Sequence, residues 1–576
     1  MIDLTKYPVE KNPLYAYINN DSELGFDIPD VSMFGMVKIS AQSHPEAYAY
    51  EYFGTKCTYA ELVKKIEKVS GQYAGIGVKK GDIVTILMAN TPEAVLSIYA
   101  LNRIGAVANI VHPLSAKEEI KNYINAVDSK YLLCMDMCVE KVKSIADKTI
   151  LRKIVVASAS DSMPQPLKAL YTLTNKSRKN IPAKDSRYVL WRDFINGNDS
   201  AVDEYIPTQK ENEKAAIILH SVGTTGTPKD IMLSNNNFNA FGVQSVTTLY
   251  DVSVGDKILA ILPIFHGFGL GVCIHDSFCF GACSVLIPLF NAKKFGSILK
   301  KYKPTMLFGV PTLYEALINL KDVDKLDFSF LKYAVSGGDS LPKPLEESVN
   351  KFLQSHNSDV RICEGYGMTE GLAALSLSVG EGYKSGTIGK PLIGNEMCVV
   401  EPGTTRVLPP NTDGELCVSG PTVMVGYRNN DIETANALKI HDEGKVWLHT
   451  GDMASVDEEG FVTYKLRIKR LIISSGYNVY PTQIEKVIEE LPFVMKCAVV
   501  AMPHKYKKEV AKAYIILKEG CEKADTEEKI RIHCKNNLAH HSVPYEYEFV
   551  SELPKTPYGK VDFLKLQRET AKAANE

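Results

Sequence analysis

Between residues 83 and 158, short apolar runs alternate with amphipathic stretches, and few folds accommodate that order. DIVTILM reads as a buried strand, TPEAVLSIYALNRIG as a helix and AVANIV as a second strand. SAKEEIKNYINAV follows as a helix with Ser115 at its cap, then KYLLCMD and KIVVAS as strands on either side of a short helix. Strands this apolar need cover on both faces. A βαβα order supplies it as a parallel, doubly wound sheet, so the fold class is α/β. The runs AAIILH, KILAILP, TMLFGV and KYAVSG extend the pattern, each leading into a loop with glycine or proline. Open α/β sheets bind ligands beyond the carboxyl ends of their strands, which makes these loops the candidate site.

Residues 160–212, with SRKNIPAKDSR and NGNDS, read as a polar surface excursion. After residue 395 short strands with DG, SG and EEG turns predict a β-rich subdomain, and near 470 the texture changes to a small α+β domain. At 576 residues the chain exceeds one ordinary core. The expected organisation is a large multi-lobed domain over 1–469 and a small mobile domain over 470–576.

With 66 basic and 68 acidic residues the net charge is −2, so nothing draws the whole chain to nucleic acid or to an anionic membrane. Twelve cysteines run from Cys57 to Cys534, and the closest pairs, Cys134/Cys138 and Cys279/Cys283, lack the two-residue gap of redox and zinc motifs. Reduced thiols in a cytoplasmic protein are expected. MIDLTKYPVEKNP has no basic segment followed by an apolar one, so no secretory signal is read there. The run 258–290 carries only His266, His275 and Asp276 as ionisable groups. Its Pro263, its glycines and an aspartate costing about 2.5–3.5 kcal/mol at a bilayer centre favour a buried strand–loop–helix over a span. Peripheral membrane contact stays compatible with this reading.

Directly after AAIILH stands Ser221-Val222-Gly223-Thr224-Thr225-Gly226-Thr227-Pro228-Lys229. Glycines admit close approach of backbone to phosphate, hydroxyls and amides donate hydrogen bonds, and the lysine adds charge. The spacing is not the Walker pattern. SVGTTGTPK resembles the signature loop of the adenylate-forming (AMP-binding) superfamily, which includes acyl-CoA synthetases, peptide-synthetase adenylation domains and beetle luciferases. Similar segments follow in the family's order: LPIFHGFG (262–269), GVPTLYEAL (309–317), SGGDSLP (336–342), EGYGMTE (364–370), GTIGKPLIG (386–394), DGELCVSGP (413–421), WLHTGD (447–452), RIKRLIISSGYNVYP (467–481) and LPKTPYGK (553–560).

The resemblance implies ATP, Mg²⁺ and coenzyme A as partners of a small carboxylic acid. It places Glu370 on Mg²⁺, a hard ion suited to oxygen ligands, with Gly367 and Thr369 beside it. Asp452 is implied as acceptor of the ribose hydroxyls and Arg467 as a contact to ribose and phosphate. Gly338, Asp339, Glu364, Gly365 and Tyr366 are implied as walls of the adenine slot. Lys560 is implied as the ammonium that bridges carboxylate and α-phosphate where charge crowds in the transition state. His266 and Phe268 resemble the gate to an acyl pocket that also includes Val310. Gly476 resembles the glycine lining a thiol tunnel, and Arg470 occupies the hinge about which the small domain swings.

Three positions depart from the family's pattern: Val222, Asp230 and Leu466. Val222 removes one phosphate or metal contact, and Asp230, just past the loop lysine, repels phosphate unless it points away. Carrier-loading adenylation domains hold an α-amine with an aspartate upstream of the SGG segment. Here TMLFGVPTLYEAL offers no carboxylate before Glu315. An uncharged, hydrophobic acid is expected, with a medium- or long-chain fatty acid first. The alternatives are an aryl-acid CoA ligase, an acyl-adenylate ligase that loads a carrier protein, and a non-catalytic nucleotide-binding relative.

Overall fold

The computed structural model of the chain describes residues 7, 9, 11–174, 181–182, 185–197, 200–222, 228–320, 326–474, 477–518, 520–521, 523–555 and 561–573. Two compact units emerge. The first holds Met1–Gly223, Thr227–Met397 and Val418–Leu448, and the second holds Cys398–Cys417 and His449–Glu576.

In the first unit the apolar runs pair as parallel strands: β1 (Ile83–Leu87), β2 (Val107–Ile110), β3 (Tyr131–Met135), β4 (Lys153–Ala157) and β5 (Tyr188–Leu190). With β6 (Ala215–Val222) and β7 (Pro228–Ser234) they form an eight-stranded sheet in the order Gly426–Tyr427, β7, β6, β2, β1, β3, β4, β5. All neighbours from β6 to β5 are parallel, as the βα alternation requires, and β6/β7 is an antiparallel hairpin. β5 lies inside the stretch expected to be surface excursion. Its partly buried Tyr188 and Val189 pack against the core, which recruits three residues to the sheet edge.

A second, nine-stranded sheet has β8 (Lys257–Ala260), β9 (Cys283–Leu286), β10 (Met306–Gly309), β11 (Tyr333–Gly337) and β12 (Ile362–Tyr366) at its centre. These strands are parallel too. The 258–290 run is core, not span: between β8 and β9 it forms a π-helical segment, Phe268–His275, then a short helix, with His275 and Asp276 both buried. Burial holds the His275 imidazole down to about 3 and pushes the Asp276 carboxyl well up, each shift favouring the uncharged form. Among the described residues no helix is long and apolar enough to cross a membrane.

Helix starts follow local chemistry. Thr91 caps helix α1 (Pro92–Arg103) with proline at its first position. For helix α2 (Lys117–Ala126) the expected cap Ser115 is displaced by one residue: Ala116 stands at the cap and its N–H donates to Glu119 at 2.8 Å. A carboxylate three residues in satisfies the cap residue's own N–H, the half of a capping box that needs no hydroxyl.

At the start of α1, Glu93 is fully buried. Its Oε1 accepts a 2.6 Å bond from Ser162 Oγ, and among the described residues its Oε2 has no partner. Burial raises this carboxyl from an ordinary 4.5 to about 7, a preference for the proton worth about 3 kcal/mol. The folded protein therefore binds this proton more tightly than the unfolded chain. Its contribution is complete below 4.5 and lost as pH rises towards 7. Denaturant unfolding of wild type and Glu93→Gln should coincide near pH 4.5. By pH 8 the variant should be more stable by about 1–3 kcal/mol; a constant difference across that range would rule this assignment out.

In the second unit the stretch Asp452–Val456 of strand Val446–Val456 pairs antiparallel with Val462–Arg467, which puts Asp452 opposite Arg467. Leu466, one of the departures, is fully buried opposite Met453, so its side chain is absorbed as core. A five-stranded sheet follows over residues 472–549, with helix Pro481–Glu489 packed around Ile472, Ile484, Val499 and Ile515 and helix Phe563–Ala573 packed around Ala498, Val500 and Tyr514.

Candidate active site

The site of the first unit grows from the β6/β7 hairpin. Register pairs Ser221 with Lys229 and Val222 with Pro228, so both strands run straight into segment 223–227. Gly223, Thr224, Thr225, Gly226 and Thr227 lie outside the described residues. Lys229 is half-buried. Its Nζ lies 2.6 Å from Glu433 Oε2 and 4.5 Å from the centre of the Tyr427 ring, an ion pair combined with a cation–π contact.

Tyr427 reaches the site because Gly426–Tyr427 pairs antiparallel with Ile231 and Met232 of β7. Its hydroxyl donates to Glu370 Oε1 at 2.9 Å, so one side chain joins the loop lysine to the glutamate expected to face the metal. Glu370 is buried, on a single 3₁₀ turn, Thr369–Gly371, and its carbonyl accepts from Met424 N–H. The next residue, Leu372, is fully buried at φ +69°, a conformation costly for a leucine and imposed by its surroundings. Its carbonyl fills the space beside Gly267: a Cβ there would sit 1.5 Å from Leu372 O. The loop at Gly267 and the Glu370 turn are thus pressed backbone to backbone, and only glycine fits. Glu370 accepts one described hydrogen bond. A carboxylate has about four lone-pair sites, so a buried oxygen donor set suited to Mg²⁺ remains here.

The adenine-slot candidates come together because β11 and β12 run parallel with Ser336 beside Glu364 and Gly337 beside Gly365. Gly338 sits at φ +76°, and exposed Asp339 accepts the Ser340 N–H. Glu364 Oε1 accepts the Leu341 N–H at 3.0 Å and so folds the SGGDSLP loop back on its strand. Burial pushes this carboxyl up to about 7 against the lowering effect of that amide. Tyr366 and Gly367 are half-buried beyond it, with the Tyr366 carbonyl accepting from Leu375 N–H. Phe268 lies against this slot, its ring 3.2 Å from where Gly337 would carry a Cβ; Val310 Cγ1 stands 3.6 Å from the same point on Gly338. Half-buried His266 has its ring 5.0 Å from that of Phe265.

Three residues of this region have no precursor in the sequence reading. Tyr427 and Glu433 lie in MVGYRNNDIET, where nothing in local spacing signals chemistry. Asn90, after β1, is buried and ties the two sheets. Its Nδ2 donates to the carbonyls of Ala260 and Leu262, and its Oδ1 accepts from Ile264 N–H, so it holds the strand exit that leads to His266.

In the second unit Asp452 is buried with Arg467 Nε 2.9 Å from its Oδ1. The Asp452 N–H donates to Thr450 Oγ1 and Arg467 donates to the Thr450 carbonyl, so HTGD and its partner strand form one polar knot. Arg470 is anchored: its guanidinium pairs with Glu485 at 2.5 Å and stacks 3.6 Å from the Phe563 ring centre. Gly476 and Lys560 lie outside the described residues.

A lysine at the exit of the β6/β7 hairpin, a buried carboxylate and paired loops at strand carboxyl ends are features of α/β enzymes that handle nucleotides. Comparison with known proteins carries this further. The AMP-binding enzyme family matches residues 37–428, and the AMP-binding enzyme C-terminal domain matches 483–560. The long-chain-fatty-acid–CoA ligase of Bacillus subtilis (strain 168) is 30% identical over 553 residues, 96% of this chain and 97% of its own. Among solved structures, the anthranilate CoA ligase AuaEII in complex with anthranoyl-AMP superposes with a TM-score of 0.81 at 24% identity, covering 96% of this chain and 99% of that one. ATP-bound MatB from Rhodopseudomonas palustris gives 0.80 at 24% identity, covering 94% and 99%. The chain belongs to the AMP-binding enzyme family, as an acid–thiol ligase.

Proposed function

We propose that this protein activates an uncharged, hydrophobic carboxylic acid, a medium- or long-chain fatty acid first, and delivers it to coenzyme A. In the first half-reaction the acid's carboxylate attacks the α-phosphate of ATP, forming acyl adenylate and releasing pyrophosphate. In the second the thiol of coenzyme A attacks the acyl carbon, forming thioester and releasing AMP. Magnesium, when bound, shields the phosphate charge, and Glu370 is the residue suited to hold it. Lys229 supplies a cation at the hairpin exit. Asp452 and Arg467 are the candidates for ribose, and Lys560, on the 470–576 segment, for the α-phosphate. His266 orients the carboxylate at the gate. A water-sensitive mixed anhydride needs closure in one step and thiol access in the next, which is the reason to assign a hinge at Arg470 and a tunnel at Gly476.

The observation that carries the choice of acid is the absence of a carboxylate from the acyl-side wall. Residues 305–314 contain none, and Glu315 of helix α3 (Pro311–Ile318) faces solvent. Burial also disfavours the charged form of Asp276, which would be needed to hold an amine. The printed name of the Bacillus subtilis relative points the same way. The test is a panel of octanoate, hexadecanoate, benzoate, 4-coumarate and phenylalanine, read as acid-dependent pyrophosphate release and as thioester by mass. The two fatty acids should exceed the aromatic acids by about tenfold or more in kcat/KM, and phenylalanine should be inert. A preference for an aromatic acid would replace the fatty-acid reading, and release independent of every acid would remove the ligase reading.

A further inference from the structure

Asp230 follows the loop lysine directly, where its charge would oppose phosphate, and its surroundings show where that charge goes. Its Oδ1 lies 2.9 Å from His220 Nδ1, and His220 Nε2 lies 2.7 Å from Asn109 Oδ1. Asn109 Nδ2 in turn donates to Thr85 Oγ1 at 3.0 Å. The four residues stand on β7, β6, β2 and β1, with His220 opposite Asp230 and Thr85 opposite Asn109, so a polar row crosses four strands. Since the Asn109 amide nitrogen is spent on Thr85, its oxygen faces the imidazole. His220 is thus held at Nδ1 by the Asp230 carboxylate, which can only accept, and at Nε2 by the Asn109 side chain. The Tyr123 ring of α2, 4.2 Å from the imidazole, closes the row on its helix side, and the His220 and Asp230 side chains are only 8% and 14% exposed. Alternation along β7 turns Lys229 to the other face, towards Glu433 and Tyr427.

We propose that His220 is a positioning residue for ATP: by holding the Asp230 carboxylate in this row it keeps an anion off the phosphate side of the hairpin and fixes the register on which Lys229 is presented. The inference rests on the proposed ATP-dependent function and adds a residue to it. Departure from the family's pattern at position 230 is then compensated inside the same sheet.

A double-mutant cycle tests it, read as equilibrium binding of Mg-ATP to the full chain without any acid, and as KM for ATP against kcat in pyrophosphate release. His220→Phe keeps the ring against Tyr123 but cannot donate. It should weaken ATP binding about tenfold, raising KM more than it lowers kcat. Adding Asp230→Gly should recover binding to within about threefold of wild type, because no unheld carboxylate remains. Raising the salt should shrink the His220→Phe defect. A merely structural role predicts the opposite: the second substitution leaves the defect in place or deepens it, and that outcome overturns the proposal. Should His220→Phe not fold, Asn109→Leu removes the imidazole's second partner together with the bond to Thr85 and leaves His220 itself in place. A loss of about threefold relieved by Asp230→Gly supports the proposal, and an unrelieved loss rejects it. Wild type that binds no Mg-ATP would reject the functional reading itself, whereas wild-type binding with unrelieved variants rejects only the role of His220.

Discussion

Lys560→Ala is expected to slow acyl-adenylate formation by about 10²–10³-fold while leaving conversion of supplied acyl adenylate to thioester largely intact. The asymmetry follows from where charge develops. Attack of a carboxylate on the α-phosphate brings two anions together and expels a third, so a positioned ammonium is worth most in that transition state. Thiol attack on the adenylate has no such crowding and expels a single monophosphate. Separate assays decide the matter: pyrophosphate release for the first half-reaction, and thioester from synthetic adenylate for the second. Equal losses in both would remove the role. A bulky residue at Gly476 should give the mirror image, sparing pyrophosphate release and blocking thioester, because only the second step needs a channel for the thiol.

Glu370→Gln should lower kcat/KM for adenylation by about 10²-fold and raise the magnesium concentration needed for half-maximal rate. The substitution is chosen for what it preserves. A glutamine oxygen still accepts from the Tyr427 hydroxyl, which donates at 2.9 Å in the wild type, and the buried 3₁₀ turn keeps its shape. What disappears is the negative charge that attracts a hard cation. Excess magnesium should therefore recover part of the rate by mass action. Thioester formation from supplied adenylate, which involves no triphosphate, should change little. A variant with wild-type magnesium dependence would show that Glu370 is a structural acid tied to Tyr427 and nothing more.

The strands of both parallel sheets were legible because an apolar run of five or six residues between glycine or proline loops is a local signal, and each such run pairs as expected. The 258–290 core was legible for a related reason. An aspartate and a histidine within an apolar run are tolerated more readily in packed protein than at a bilayer centre, and both are buried. The edge strand Tyr188–Leu190 was not legible: three residues carry too little periodicity to stand out from polar surroundings. Ser115 was misplaced as a cap because sequence ranks hydroxyls above alanine, whereas Glu119 satisfied the free N–H from inside the helix.

At the site, residue chemistry marked the glycine-rich loop as suited to phosphate, whereas the roles expected of Glu370 and of the SGGD and EGYG loops came from the resemblance to the adenylate-forming superfamily. Which groups meet them was not marked. Tyr427 lies 57 positions from Glu370, and Asn90 about 170 from the carbonyls it holds, so no local pattern carries either contact. By itself the sequence determined the class of elements, the order of the site loops and the family, because each depends on short-range pattern. Only tertiary structure decided that one tyrosine serves both Lys229 and Glu370, that Leu372 presses its carbonyl into the gap left by Gly267, and that Asp230 turns to His220. Those are matters of strand register and side-chain direction, set when distant segments pack together.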